Sequence, residues 1–248
     1  MTVLMGLDTR MRLARLYLCT DLRRDQGDLE EFLRAAFAGG VDLIQLRDKH
    51  ASRDELLAAL ALARKVAAPV QGLVVVNDDP GLAAEFRSDV LHVGQDDAAP
   101  QTARPSLHQW AHIGLSTHSE AQVRGALADA DVDYFCVGPV YATPTKPDYP
   151  PVGLELVRYA AQQSPVADID AKPWWAIGGI DIHTIDAVLA AGARRVVVVR
   201  AITQAPDPQA AAQALRDKLD AAWHTPELER YVFAAVGNRS KLGRGLSH

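Results

Sequence analysis

The chain has 248 residues, of which 48% are hydrophobic and 23% are charged, and its formal net charge is −5. This composition is typical of a globular domain with a large core. The length suits one α/β barrel of about 250 residues, or two smaller domains. The negative net charge argues against a nucleic-acid-binding surface, so an anionic ligand must be held by a local cluster of cations.

The two cysteines, Cys19 and Cys136, both lie inside apolar runs. A buried, reduced thiol is the expected state of such residues, and their spacing matches neither a metal site nor a disulfide framework. Residues 1–12 are charged and lack the apolar segment of a signal peptide. No apolar stretch approaches the ~20 residues that cross a bilayer. We therefore expect a cytoplasmic protein with no membrane partner.

Short apolar runs alternate with amphipathic segments along the whole chain. Within these runs, polar and apolar residues do not alternate. Uniformly apolar runs are typical of parallel strands that are covered on both faces. Eight strands are predicted, at residues 16–20, 43–46, 73–76, 90–93, 113–116, 134–137, 175–177 and 196–199.

Helices are predicted between the strands. Asp28 is expected to cap one of them, and Ser52 with Glu55 to form a capping box. Eight β-then-α units predict a single (β/α)8 TIM barrel or a long doubly wound sheet, and the barrel is favoured because eight strands close around side chains. The barrel is assigned to residues 13–225. Residues 1–12 are expected to form an N-terminal tail, and residues 226–248 a partly mobile C-terminal tail.

Polar residues follow six of the predicted strands. The carboxyl ends of barrel strands carry the active site, so these segments are expected to meet at one end of the barrel. Asp78 and Asp97 follow neighbouring strands, and together they would suit Mg²⁺, which binds one or two carboxylates along with phosphate oxygens and water. Arg47, Lys49 and Lys146 supply the cations that a diphosphate requires.

A second anionic group is predicted near the last two strands. Gly178 and Gly179 precede a predicted helix, and another helix follows the eighth strand. Barrel enzymes commonly bind a phosphate at these two loops through backbone N–H groups. The sequence therefore predicts one diphosphate with Mg²⁺ and one monophosphate in the same site.

These motifs resemble those of the thiamine-phosphate synthase family, in the family's order, over about residues 15–220. Ile-Gly-Gly-Ile is shared with other phosphate-binding barrels. The combination of Gln-Leu-Arg-x-Lys, Gly-Gln-x-Asp and Thr-x-Thr-Lys is specific to the family. The matching segments are Gln45-Leu-Arg-Asp-Lys49, Asn77-Asp78, His92-Val-Gly-Gln-Asp-Asp97, Gly114-Leu-Ser-Thr-His118, Gly138-Pro-Val-Tyr-Ala-Thr-Pro-Thr-Lys146 and Ala176-Ile-Gly-Gly-Ile180.

The resemblance implies a transferase of thiamine biosynthesis with Mg²⁺ as its cofactor. The substrates would be 4-amino-2-methyl-5-hydroxymethylpyrimidine diphosphate and 4-methyl-5-(2-hydroxyethyl)thiazole phosphate, and the products thiamine phosphate and pyrophosphate. Pyrophosphate would depart first and leave a resonance-stabilised cation that the thiazole nitrogen captures. Catalysis would then depend on electrostatic stabilisation and alignment, with no protein nucleophile.

The resemblance also implies a role for each matching residue. Asp78 and Asp97 would bind Mg²⁺, and Ser116 would lie beside the pyrimidine. Residues that would hold the pyrimidine diphosphate are Gln45, Arg47, Lys49, Asn77 and Lys146. Residues that would meet the thiazole phosphate are Thr143, Thr145, Gly179 and the backbone at Val199 and Arg200. The catalytic set would be Arg47, Lys49, Ser116 and Lys146.

Two features depart from the family pattern: Arg200 stands where serine is usual, and the polar segment 167–173 has no assigned role. His92 and His118 are interpreted as structural histidines in preference to general bases. The alternative functions are a thiazole tautomerase-like barrel, a more distant sugar-phosphate epimerase, and a non-catalytic regulator that binds thiamine precursors. The sequence does not decide between a monomer and a homo-oligomer.

Overall fold

A computed structural model describes residues 4–143 and 150–237. It confirms the predicted (β/α)8 barrel, because eight parallel strands close in chain order and β8 pairs with β1. The strands are β1 Leu16–Thr20, β2 Leu43–Leu46, β3 Leu73–Asn77, β4 Val90–Val93, β5 His112–Thr117, β6 Tyr134–Val137, β7 Trp174–Ile177 and β8 Val196–Val198.

The helices surround the barrel. They are α1 Leu7–Leu13, α2 Leu29–Ala38, α3 Arg53–Ala67, α4 Pro80–Phe86, α5 Pro100–Ala103, α6 Glu120–Ala128, α7 Gly153–Gln163, α8 Ile185–Ala190, α9 Arg200–Thr203, α10 Pro208–Trp223 and α11 Pro226–Gly237. Two 3₁₀ turns cover Ala68–Val70 and Arg104–Ser106. Every helix in the described ranges is too short or too polar to span a bilayer.

The two helix-capping predictions have different outcomes. Ser52 forms the predicted capping box, in which Glu55 Oε2 accepts from the Ser52 N–H at 2.7 Å and Ser52 Oγ accepts from the Glu55 N–H at 3.3 Å. Asp28 precedes α2 but does not cap it with its side chain. Its carboxylate instead receives hydrogen bonds from Arg23 at 2.6 and 2.8 Å, because a guanidinium offers two donors in a matching fork.

Aromatic side chains fill the amino-terminal half of the barrel interior. The ring of Trp175 packs edge-on against those of Tyr134 and Tyr17, with centroid distances of 5.3 and 6.3 Å. Gly114 on β5 provides the necessary room, since a Cβ at this position would lie 2.0 Å from the Tyr134 ring. The open part of the barrel is therefore at the carboxyl ends of the strands.

The terminal segments differ from the tails expected at residues 1–12 and 226–248. Leu7–Leu13 and Pro226–Gly237 are helices α1 and α11, and they pack beneath the barrel with Met11 and Tyr231 buried. Their apolar side chains cover core that would otherwise meet water, which explains why they order. Residues 1–3 and 238–248 lie outside the described residues.

Arg195, just before β8, joins these two helices to the barrel. Its side chain is 1% exposed. The guanidinium donates to the carbonyls of Ala14 and Arg12 at 3.2 and 2.8 Å and to the Tyr231 hydroxyl at 3.1 Å. This buried cation thus connects the segment before β1, the start of β8 and α11.

Candidate active site

A cavity of about 710 Å³ opens at the carboxyl ends of the strands. It brings together residues from the strands and from the loops that follow them, from β1 to α9. Eleven of the sequence-predicted site residues line it: Gln45, Arg47, Lys49, Asn77, Asp78, Asp97, Ser116, Thr143, Gly179, Val199 and Arg200. Thr145 and Lys146 lie outside the described residues.

A series of hydrogen bonds links side chains near the carboxyl ends of β1, β2 and β3. Cys19 Sγ donates to Gln45 Oε1 at 2.8 Å, and Gln45 Nε2 donates to Asn77 Oδ1 at 3.1 Å. Asn77 Nδ2 then donates to Asp78 Oδ2 at 2.6 Å. This series fixes the orientation of both side-chain amides. Cys19 is a buried thiol, as expected, but its hydrogen bond to Gln45 could not be predicted, because the register that places the two side by side is not visible in the sequence.

The carboxyl groups of Asp78 and Asp97 interact at the ends of β3 and β4. Burial, reinforced by the neighbouring Asp97, raises the pKa of Asp78 to about 6. Asp97 Oδ2 also accepts the backbone N–H of Gly94 at 2.7 Å. A buried carboxyl beside a second acidic side chain forms a favourable site for a hard cation, which would offset the negative charge.

This pair fits Mg²⁺ in its choice of ligand atoms. Within residues 4–143 and 150–237, no group of three or more His, Cys, Asp or Glu side chains is arranged to hold a metal ion. A cation at Asp78 and Asp97 would therefore need further oxygen ligands. Mg²⁺ typically takes only one or two protein carboxylates and completes its shell with phosphate oxygens and water.

The structure separates Asp78 from the adjacent Asp79. Asp79 Oδ1 accepts the backbone N–H of Leu82 at 2.9 Å and caps α4, while Asp79 Oδ2 lies 3.1 Å from Arg53. Asp78 instead lines the cavity and has a left-handed backbone with φ of +60°. Since few residue types other than glycine adopt this conformation readily, the turn holds Asp78 in a specific orientation.

Asp48 lies between the cations Arg47 and Lys49 and anchors the loop that carries them. Arg47 and Lys49 line the cavity, whereas the side chain of Asp48 is 9% exposed and accepts from Arg24 at 3.2 Å and from the His50 N–H at 2.9 Å. Burial opposes its charge, but these hydrogen bonds hold the pKa of Asp48 below its ordinary value. Asp48 thereby ties the loop after β2 to the loop after β1. This role of Asp48 is not visible in the sequence, because Arg24 is distant in the chain.

His92 connects β4 to β5 and β6 inside the barrel. Its Nε2 lies 3.0 Å from Ser116 Oγ, and its Nδ1 lies 3.1 Å from the Tyr134 hydroxyl. Gln95 Nε2 also donates to the Ser116 carbonyl at 2.6 Å. His92 is 8% exposed and lines the cavity. His118 is held as well, through a contact between its Nδ1 and the carbonyl of Gly138.

Gly178 and Gly179 allow two loops to approach each other closely. Both have positive φ values, +104° and +65°. A Cβ on Gly179 would lie 2.7 Å from the Cβ of Tyr141, and the Tyr141 N–H donates to the Gly178 carbonyl at 3.0 Å. The pair therefore holds the loop after β7 against the loop after β6, with Gly179 at the cavity wall.

The start of α9 forms the adjacent wall. Val199 precedes this helix, and Arg200 is its first residue, exposed at its surface. The first N–H groups of a helix have no partner within the helix and attract anions. Other cavity residues had no predicted binding role, among them His118, Cys136, Asp181 and Gln204.

A family model and several similar proteins name the same enzyme family. A sequence model of the family described as thiamine monophosphate synthase matches residues 16–202. The thiamine-phosphate synthase of Acidothermus cellulolyticus is 51% identical over 209 residues, which cover 84% of this chain and 96% of that protein. The Mycobacterium leprae protein of the same name is 50% identical over 227 residues, covering 87% and 94%.

Among solved structures, the thiamine phosphate pyrophosphorylase from Pyrococcus furiosus superposes with a TM-score of 0.73 at 27% sequence identity. The superposition covers 86% of this chain and 98% of that chain. The superposition therefore covers most of the barrel, and the family match over residues 16–202 contains all six motif segments.

Proposed function

This chain belongs to the thiamine monophosphate synthase family, and from that premise we propose that it joins 4-amino-2-methyl-5-hydroxymethylpyrimidine diphosphate to 4-methyl-5-(2-hydroxyethyl)thiazole phosphate. The products are thiamine phosphate and pyrophosphate. The proposal rests on one observation, which is that three kinds of chemical group line the same cavity. Arg47 and Lys49 are cations, Asp78 and Asp97 are paired carboxylates, and Gly179 belongs to a phosphate-type loop.

We propose that Asp78 and Asp97 hold Mg²⁺ together with the diphosphate. When bound, the ion neutralises part of the diphosphate charge. Asn77 and Gln45 orient Asp78 through the hydrogen-bond chain described above. The support for this assignment is the pKa of Asp78, which burial and the neighbouring Asp97 raise, together with the oxygen-only ligand set.

The cations Arg47, Lys49 and Lys146 are proposed to stabilise the leaving group. Negative charge grows on pyrophosphate as its bond to the pyrimidine methylene breaks. Fixed positive charges at that position stabilise the transition state more than the bound substrate, and so they accelerate the reaction. The electron pair of the broken bond leaves with pyrophosphate, and the thiazole nitrogen supplies the pair for the new carbon–nitrogen bond. No protein nucleophile is required.

The thiazole phosphate is proposed to bind at the opposite wall of the cavity. Thr143 and Thr145 contribute hydroxyls, and Gly179, Val199 and Arg200 contribute backbone N–H groups. The closeness of the β6 and β7 loops and the start of α9 at the cavity wall support this assignment.

Replacing Arg200 by serine is expected to preserve most of the activity, because the backbone N–H at this position is proposed to bind phosphate. Steady-state kinetics with each substrate varied in turn provide the check. The KM for the pyrimidine diphosphate serves as the internal control. A rise of more than about tenfold in the thiazole-phosphate KM, equivalent to about 1.4 kcal/mol, would show that the guanidinium itself binds.

The function is tested by measuring pyrophosphate release from the full chain with Mg²⁺. Release is expected only when both substrates are present, and addition of excess EDTA should abolish it. A tautomerase-like protein would convert a thiazole precursor without releasing pyrophosphate. A regulator would bind the substrates without turnover, so either result would exclude the proposed reaction.

A further inference from the structure

Three polar side chains form a continuous line from the buried aromatic layer to the cavity. The Tyr134 hydroxyl, the His92 imidazole and the Ser116 hydroxyl are joined by contacts of 3.1 and 3.0 Å. Tyr134 is fully buried, whereas Ser116 lines the cavity. Because a neutral imidazole carries its proton on one nitrogen only, this geometry leaves two possible hydrogen-bond directions.

The buried phenol distinguishes these directions. Burial raises the pKa of Tyr134 well above its ordinary value, so its hydroxyl keeps its proton and requires an acceptor. His92 Nδ1 is within hydrogen-bond distance. The nearby Tyr17 hydroxyl acts on Tyr134 as a donor and not as an acceptor, because burial raises the pKa of Tyr134 while the hydrogen bond from Tyr17 lowers it. The Tyr134 proton is thus directed to His92 Nδ1.

A proton accepted at Nδ1 fixes the rest of the line. The imidazole must then carry its own proton on Nε2 and donate it to Ser116 Oγ. Since Ser116 Oγ acts as an acceptor towards His92, its own hydroxyl proton is available on the side of the cavity. Gln95, which donates to the Ser116 carbonyl at 2.6 Å, fixes the backbone that presents this hydroxyl.

We propose that Tyr134 and His92 are positioning residues that make the Ser116 hydroxyl a hydrogen-bond donor to the pyrimidine. This inference rests on the proposed function for the identity of the ring. A donor at this position pairs with an acceptor, so Ser116 faces a ring nitrogen and not the exocyclic amino group. The line therefore contributes to the choice of the pyrimidine edge that lies against Ser116.

The tautomer can be measured without substrate or turnover. Long-range ¹H–¹⁵N correlation spectra of the full chain, with His92 assigned by comparison with His92→Gln, are expected to show the Nε2–H tautomer. Tyr134→Phe should increase the population of the Nδ1–H tautomer of His92, because the proton donor to Nδ1 is lost. Tyr17→Phe is the matched control, since it removes a hydroxyl from the same buried layer. A Nδ1–H tautomer in the parent, or an equal change in both variants, would overturn the proposal.

Kinetics test whether the line acts through Ser116. Tyr134→Phe and His92→Gln are expected to raise the KM for the pyrimidine diphosphate by about fivefold, the typical effect of one hydrogen bond, while the thiazole-phosphate KM stays constant. In a Ser116→Ala background, neither change should have a further effect. Additive losses would indicate a purely structural role. A parent that releases no pyrophosphate would refute the proposed function but leave the tautomer measurement valid.

Discussion

Replacing Asp78 by asparagine is expected to raise the Mg²⁺ concentration needed for half-maximal turnover by on the order of 100-fold, the upper end of what loss of a supporting group costs a metal site. Asparagine keeps the shape of the side chain but removes the charge that the cation requires. Titration of activity with Mg²⁺ under saturating substrates measures the effect. Full turnover of the parent in excess EDTA would contradict the premise.

The same substitution is expected to leave the free energy of unfolding unchanged or slightly higher at neutral pH. The folded-state pKa of Asp78 is about 6, above its ordinary value of 3.8. Its contribution to stability is therefore fully present below pH 3.8 and is lost as the pH rises through about 6. Above that pH the charge opposes folding, and asparagine removes it. Asparagine also tolerates the φ of +60°.

Asp79→Asn is the matched control for Asp78→Asn. Asp79 caps α4 and pairs with Arg53, and asparagine caps helices about as well as aspartate. The control should therefore change neither the Mg²⁺ requirement nor the unfolding free energy substantially. Equal losses of activity in the two variants would contradict the proposal that Asp78, and not Asp79, binds Mg²⁺.

Replacing Arg195 by alanine is expected to lower the free energy of unfolding by about 3–5 kcal/mol, as for removal of a large buried side chain. The variant loses the hydrogen bonds to Ala14, Arg12 and Tyr231 and leaves buried acceptors without a donor. It also loses stacking of the guanidinium on Trp175 and Trp223, whose ring centroids lie 5.6 and 5.2 Å away. Urea denaturation measures the loss.

Arg34→Ala provides the comparison for a surface arginine. Arg34 is exposed and pairs with Glu30 on the same helix, and an ion pair in such a setting contributes little to stability. At urea concentrations below its unfolding transition, the Arg195→Ala protein should keep an intact active site, because Arg195 lies at the opposite end of the barrel. Similar unfolding free energies for the two variants would contradict the proposed role of Arg195.

The sequence by itself determined the barrel and predicted eleven of the residues that line its cavity. Each strand is a short apolar run, and each predicted binding segment directly follows a strand, so both are local features. Parallel strands in chain order then bring Gln45, Asp78, Ser116 and Gly179 to one end of the barrel without further information. Local patterns suffice here because the fold repeats one simple connection eight times.

Only the tertiary structure decided how individual side chains are used. The strand register sets Cys19 beside Gln45, and a left-handed turn separates the roles of Asp78 and Asp79. The terminal helices have no evident place in the sequence pattern, because the surface that orders them is the amino-terminal face of the closed barrel around Arg195. These features depend on contacts between residues far apart in the chain, which form only when the barrel closes.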